Sequence, residues 1–243
     1  MVREPGAPFE FEELQIDEPL DDEVLVRIVA AGICHTDIGS QSRLPMPVVL
    51  GHEGAGIVER VGRSVTKVSE GDSVVLSFGF CGVCPSCREG APFRCDDMGL
   101  LQFGCQRADG QATIVSDQGP IYGAFFQQSS FATHALATER NTITVDSNLE
   151  LHELAPLACG IQTGAGAVMN SLDVRAGESL AVFGVGSVGL SAVMAARVVG
   201  AHPIVAIDVH AQRLDLARDL GATHTIDTRE GDVSARVRDI TGR

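Results

Sequence analysis

Four cysteines crowd into one loop as Cys81-Gly82-Val83-Cys84-Pro85-Ser86-Cys87 followed by Cys95, a Cys-x2-Cys-x2-Cys-x7-Cys run. Four thiolates at that spacing can close a tetrahedron around Zn2+ and leave no open position, so the expected site is structural and the loop folds with its metal. Closely spaced cysteines also serve iron–sulfur clusters, and a group of reduced, buried thiols is the plainer alternative. The chain holds seven cysteines and opens Met1-Val2-Arg3-Glu4-Pro5, with no basic stretch leading into an apolar run. No secretory signal is read there, so thiols that bind metal or stay reduced, in a cytoplasmic setting, are expected rather than a disulfide framework.

A length of 243 residues suits one large domain or two modest ones, and 44% apolar with 21% charged residues is an ordinary globular balance. The formal net charge of −14 argues against nucleic acid or an anionic membrane as partner, because counterion release needs a positive face. The uncharged stretch from Ser179 to Ala196 approaches membrane-spanning length, but it contains Gly184, Gly186 and Gly189 and several serines, and Arg197 follows at once. It reads as a buried strand, a turn and a helix.

From Glu23 to about Val145 the pattern is short and β-rich: Val24 to Val29, Gly56 to Val61, then Ser73 to Leu76, separated by turns such as Glu70-Gly71-Asp72. This half reads as an antiparallel, barrel-like domain with long loops. From about His152 the period changes. Strands at Ser179–Phe183, Pro203–Ile207 and Thr223–Ile226 alternate with helices at Ser187–Val199, Ala211–Leu220 and Asp232–Ile240, the signature of a parallel, doubly wound sheet.

The glycine run Gly184-Val185-Gly186-Ser187-Val188-Gly189 lies between the first of those strands and its helix, and Asp208 ends the next strand. That context is what a dinucleotide fingerprint requires: Gly184 for the tight turn, Gly186 for approach of a pyrophosphate to the helix N-terminus, Gly189 for close helix–strand packing. The Asp208 carboxylate would accept from the adenosine ribose and favour NAD over NADP; a glycine-rich turn with an ordinary surface aspartate is the alternative. A third set is scattered: Gly32-Ile33-Cys34-His35-Thr36-Asp37, Gly51-His52-Glu53, and Cys159. Spacing alone does not unite it, and each residue singly reads as structural. Two thiolates and one imidazole would nevertheless make a three-ligand zinc site with a fourth position open to substrate.

In this order the three sets resemble the zinc-dependent medium-chain alcohol dehydrogenases, and Phe125-Phe126-Gln127-Gln128-Ser129-Ser130-Phe131-Ala132 most resembles their aryl-alcohol branch. The resemblance implies an α/β protein: a GroES-like zinc-binding catalytic domain over residues 1–160, then an incomplete Rossmann NAD-binding domain over 161–243. It implies a catalytic zinc on Cys34, His52 and Cys159 and a structural zinc on Cys81, Cys84, Cys87 and Cys95. Thr36 falls on the hydroxyl that receives the substrate proton, Asp37 and Glu53 on carboxylates behind the metal ligands, and Thr163 on the position packing against nicotinamide. Arg213 falls beside the adenosine ribose and His35 on a frequent pyrophosphate contact. The implied reaction moves a hydride from a primary, aromatic alcohol to NAD, with a homo-oligomer for the full-length form; Phe125 and Phe126 are candidate pocket walls.

Two departures stand out. Gly39 occupies the place of a relay histidine, leaving His35, water or another route for the proton. About three strands are present where a full doubly wound sheet has about six, so a C-terminally truncated chain, short of part of its nicotinamide pocket, is expected. A non-catalytic zinc-binding remnant is the rival function. A zinc-free quinone reductase is disfavoured by the cysteines at 34 and 81–95. Cys105 reads as a free thiol, and His134, His152, His210 and His224 as structural or exposed residues.

Overall fold

The computed structural model describes residues 1–146 and 148–242. The chain divides into two compact units, Met1–Cys159 and Gly160–Arg243. In the first, the strands are β1 (Gln15–Ile16), β2 (Glu23–Ala31), β3 (Gly54–Val61), β4 (Ser73–Leu76), β5 (Ile114–Ser116), β6 (Gly119–Ile121), β7 (His134–Thr138) and β8 (Thr142–Thr144). Short helices α1 (His35–Ser40), α2 (Pro85–Arg88), α3 (Met98–Phe103) and α4 (Leu151–Leu154) sit in the connections.

Among the described residues an antiparallel sheet runs β7-β2-β3-β4-β8, and a smaller one β1-β5-β6. β2 lies between β7 and β3 in the larger sheet, with Val24 opposite Val61 on one side and Ala137 on the other. Register shifts between Leu25 and Val26 and between Ile28 and Ala30 bend it, as bulges do in barrel walls. Alternation divides the side chains of β4: Val74 and Leu76 join Val24, Val26 and Val58 in one cluster, whereas Val75 packs with Ala55, Leu154 and Ala155 in another. A buried ion cluster fastens the start of β2: Arg107, its side chain 4% exposed, donates through Nε and Nη2 to Glu23 at 2.8 Å each and through Nη1 to Asp17 at 2.5 Å.

The second unit holds α5 (Gly160–Gly166), β9 (Leu180–Phe183), α6 (Ser187–Val198), β10 (Ile204–Asp208), α7 (Ala211–Leu220), β11 (His224–Asp227) and α8 (Val233–Thr241). Its strands pair in parallel in the order β11-β10-β9. The period of two in β10 places Ile204 and Ala206 against Val193, Ala196 and Leu214 of α6 and α7, and Val205 and Ile207 against α8 through Val233, Val237 and Ile240. Helices therefore cover both faces, as a doubly wound sheet requires. Asp232 caps α8 by accepting from the Ala235 amide at 3.0 Å, and α7 ends at Gly221, whose φ is 128°.

Candidate functional site

Two groups of side chains that could hold a metal ion assemble in the first unit. In the loop that carries α2, one ligand atom from each of Cys81, Cys84, Cys87 and Cys95 lies within 4.8 Å of all the others. Sulfurs about 2.3 Å from a tetrahedral zinc stand about 3.8 Å apart, and Cys81 Sγ to Cys87 Sγ is 4.0 Å. The Cys81 amide donates to Cys95 Sγ and the Cys84 amide to Cys81 Sγ, both at 3.3 Å, and N–H donors aimed at sulfur favour thiolate. Backbone amides of Asp96 and Cys87 lower the Cys84 thiol to about 7. The donor set fits zinc.

The scattered set also meets. Cys34, His52, Glu53 and Cys159 each bring a ligand atom within 4.8 Å of the others, from the residue before α1, the segment entering β3 and the residue that closes the turn Ala155–Ala158 after α4. A sulfur and an imidazole nitrogen on one tetrahedral zinc are about 3.6 Å apart; His52 Nε2 to Cys159 Sγ is 3.3 Å. Asp37, fully buried, organises the group: Oδ1 accepts from the His52 ring at Nδ1 and from the Gly51 amide, and Oδ2 from the Cys34 amide, all at 3.0 Å. Bonding at Nδ1 fixes the tautomer that leaves Nε2 free to ligate. Burial disfavours charge on His52, yet Asp37 and Cys159 at its two nitrogens lift its pKa to about 10, so this pocket stabilises positive charge. Thr36 is half-buried, and its backbone and hydroxyl both bond the Cys34 thiol; His35 is exposed.

Aromatic rings border the second group. Phe126 stacks on His52 with centroids 4.5 Å apart and planes at 29°, and Phe103 meets Phe126 edge-on at 5.4 Å. Phe125 departs from expectation: it is 0% exposed, packed with Val2, Val48, Leu50 and Cys105, and is a core residue rather than a pocket wall. Cys105 belongs to neither metal group, and burial pushes its thiol up to about 12.

In the second unit the glycine run joins β9 to α6. Gly184 has φ +79°; a Cβ at Gly189 would lie 2.0 Å from the Gly184 carbonyl oxygen, and one at Gly186 would meet nothing within 4 Å. Asp208 reaches back to the loop: Oδ2 accepts from the Val185 amide at 2.8 Å and Oδ1 from Val209 and His210 at 2.8 and 2.9 Å. Burial works against its charge, but these amides and Arg213, 3.8 Å away, hold the carboxyl below the usual range. Thr163 and Arg213 are exposed, on α5 and α7. Sequence reasoning passed over two residues. A Cβ on Gly32 would lie 1.9 Å from Glu53 Oε2, so only glycine leaves room for that carboxylate. Gln128, 0% exposed, ties the His52 carbonyl to β3 and β4; its one signal was the polar run from 127 to 130 set between phenylalanines.

Residues 20–146 match the alcohol dehydrogenase GroES-like domain and residues 187–243 the zinc-binding dehydrogenase domain. The chain belongs to the zinc-dependent medium-chain alcohol dehydrogenase family. Geraniol dehydrogenase of Castellaniella defragrans is 48% identical over 246 residues, covering 100% of this chain and 66% of that protein. A crystal structure of an alcohol dehydrogenase zinc-binding domain protein from Burkholderia ambifaria aligns with a TM-score of 0.96 at 52% identity, over 99% of this chain and 66% of the other. Benzyl alcohol dehydrogenase of Acinetobacter calcoaceticus aligns with a TM-score of 0.94 at 44% identity, with the same coverage. The chain thus spans about two thirds of the length of these relatives. Among the described residues no helix is long and apolar enough to cross a membrane.

Proposed function

We propose that the chain carries the catalytic centre and the adenosine-binding elements of an oxidoreductase that converts a primary alcohol to its aldehyde with NAD. The observation that carries this reading is the Cys34–His52–Cys159 group with Asp37 locked on Nδ1, a donor set that leaves one position of a tetrahedron for substrate. Residues 1–160 would form the catalytic domain, with a second zinc on Cys81, Cys84, Cys87 and Cys95, and residues 161–243 would hold cofactor. Zinc on the first group supplies a Lewis acid that acidifies the substrate hydroxyl, and NAD supplies the hydride acceptor.

Within that arrangement the Thr36 hydroxyl accepts the hydrogen bond of the substrate O–H and leads the proton outward to the exposed His35 or to water, since Gly39 carries no side chain. Asp37 holds the His52 ring, and Glu53 adds negative charge behind the ligands. The Phe126 ring on His52, with Phe103 edge-on to Phe126, supports a substrate whose hydroxymethyl carbon sits on an unsaturated carbon. Benzyl alcohol and geraniol share that chemistry. In the second unit Gly184, Gly186 and Gly189 seat the pyrophosphate at the start of α6, Thr163 faces nicotinamide, and Asp208 accepts from the ribose. The three amides on Asp208 leave it about one acceptor direction for a ribose hydroxyl. A 2′-phosphate would meet its negative charge, which favours NAD, while Arg213 tempers the discrimination.

The test is elemental analysis of purified protein with titration of NAD and NADP and an assay of benzyl alcohol and geraniol against hexanol. Two zinc per chain, tighter binding of NAD and preference for the unsaturated alcohols are expected. Iron in place of zinc, or tighter binding of NADP, refutes the reading.

A further inference from the structure

The strap Phe125-Phe126-Gln127-Gln128-Ser129-Ser130 has an uncommon backbone: Phe126, Gln127 and Ser129 have φ of 52°, 57° and 53°. Side chains with a Cβ rarely adopt this left-handed region and persist there only where the surroundings over-determine them. Gln128 supplies that determination. Its Nε2 donates to the carbonyls of His52 and Leu76 at 3.0 Å and of Ser77 at 3.1 Å, and its Oε1 accepts from the Gly54 amide at 3.0 Å. The orientation of the amide is fixed, because the reverse would set an oxygen against three carbonyls. Ser129 Oγ accepts from the Phe125 amide at 2.9 Å and donates to the Val49 carbonyl at 2.6 Å, and Asn141 Nδ2 donates to the Gln127 carbonyl at 3.1 Å. The strap is thereby tied to residues 49–54 on one side and to the end of β4 on the other.

What these ties achieve is the placement of one ring. Phe126 is turned back over the face of the His52 imidazole at 4.5 Å, while Phe125 fills the core beneath and meets the same imidazole edge-on at 5.6 Å. The imidazole is bounded by Asp37 at Nδ1, Cys159 at Nε2 and Phe126 on its face. Asp37 at Nδ1 and Cys159 at Nε2 both act in the plane of the ring and leave it free to tip about the line that joins them; the stacked Phe126 ring removes that tilt. We infer that Gln128 and Phe126 are positioning residues for His52: the buried amide holds the strap in its left-handed course, and the strap holds the aromatic face that aims Nε2 at the metal position. This rests on the proposed zinc at Cys34, His52 and Cys159.

The experiment compares the zinc-loaded wild-type chain with Phe126→Leu, Phe126→Tyr and Gln128→Glu, using Cys34→Ser to mark which zinc is which. Three quantities are read: zinc retained against a chelator at each group, the melting temperature, and the imidazole C–H resonance of His52, which a ring face at this distance shields. Phe126→Leu and Gln128→Glu should lose the zinc of the Cys34 group about 10- to 100-fold more readily, the range found when groups behind metal ligands are changed. They should keep the zinc of the Cys81 group and move the His52 resonance downfield. Phe126→Tyr should restore wild-type behaviour. The inference is overturned if both variants hold the two zincs as wild type does with the resonance unmoved, or if both zincs are lost in step with a lowered melting temperature. The resonance is read with or without metal, so a wild-type chain that never binds zinc at the Cys34 group refutes the metal reading while the resonance still decides the positioning.

Discussion

Replacing the three loop glycines one at a time by alanine should produce three separable outcomes. At Gly189 a Cβ would lie 2.0 Å from the Gly184 carbonyl oxygen and 3.3 Å from Val182 Cγ1. The first contact is between a fixed Cβ and a backbone oxygen, so no side chain can rotate away, and α6 must move off β9 by about an ångström. Overpacking of this kind costs about 2–3 kcal/mol. At about 4–8 °C per kcal/mol for a small unit, the transition of the second unit should fall by about 10–20 °C. At Gly186 the added methyl meets nothing within 4 Å and φ is an ordinary −75°. Stability should then stay within about 0.5 kcal/mol, while the methyl stands where the pyrophosphate would approach the first amides of α6, and NAD affinity should fall at least about tenfold. Gly184→Ala falls between, losing about 1–2 kcal/mol to its left-handed backbone at φ +79°. Calorimetric melts and isothermal titration with NAD separate the effects. A Gly189→Ala protein that melts within 2 °C of wild type refutes the packing argument, and a Gly186→Ala protein that binds NAD normally removes the loop from its proposed role.

Cys95→Ser should lower the melting temperature and the zinc content together, whereas Cys34→Ser should lose one zinc with the fold largely kept; elemental analysis beside circular dichroism distinguishes them. Gly32→Ala should displace the Glu53 carboxylate, whose Oε2 lies 1.9 Å from the new methyl, and change the visible spectrum of cobalt-substituted protein with little change in melting. Arg107→Met should destabilise the first unit by about 3–5 kcal/mol, read by urea denaturation, because it strands the buried Glu23 carboxylate without its partner. The Asp208 carboxyl lies below the ordinary value in the folded chain, so its contribution is full above about pH 4 and disappears as pH falls through the folded pKa. The melting difference between wild type and Asp208→Asn should therefore be largest near neutrality and shrink below pH 4.

The second unit was legible because its pattern is local. Buried strands, glycine loops and periodic helices each announce themselves within a dozen residues, and α6, α7 and α8 begin and end within a residue of the bounds read from the sequence. The Cys81–Cys95 group was legible for the same reason. Cys34, His52 and Cys159 are united only by the fold, and family resemblance rather than spacing brought them together. The small sheet was missed because β1, β5 and β6, at two or three residues each, are too short to show a period. Nothing in the sequence separated Phe125 from Phe126 either: the left-handed turns of the strap fall on phenylalanine, glutamine and serine, where no glycine marks them.

Asp37 closes the first turn of α1 through the Cys34 amide, holds Gly51 on the way into β3, and orients the His52 ring, all with one carboxylate. A helix end, a strand entry and a proposed metal ligand thus share one anchor, and none can drift without the others. Any change that lets α1 slide or fray re-aims the imidazole at the same moment. Heating should accordingly release the metal of this group at the temperature where α1 detaches, as one step rather than as a gradual loosening, and the centre gains its rigidity from a helix of only six residues.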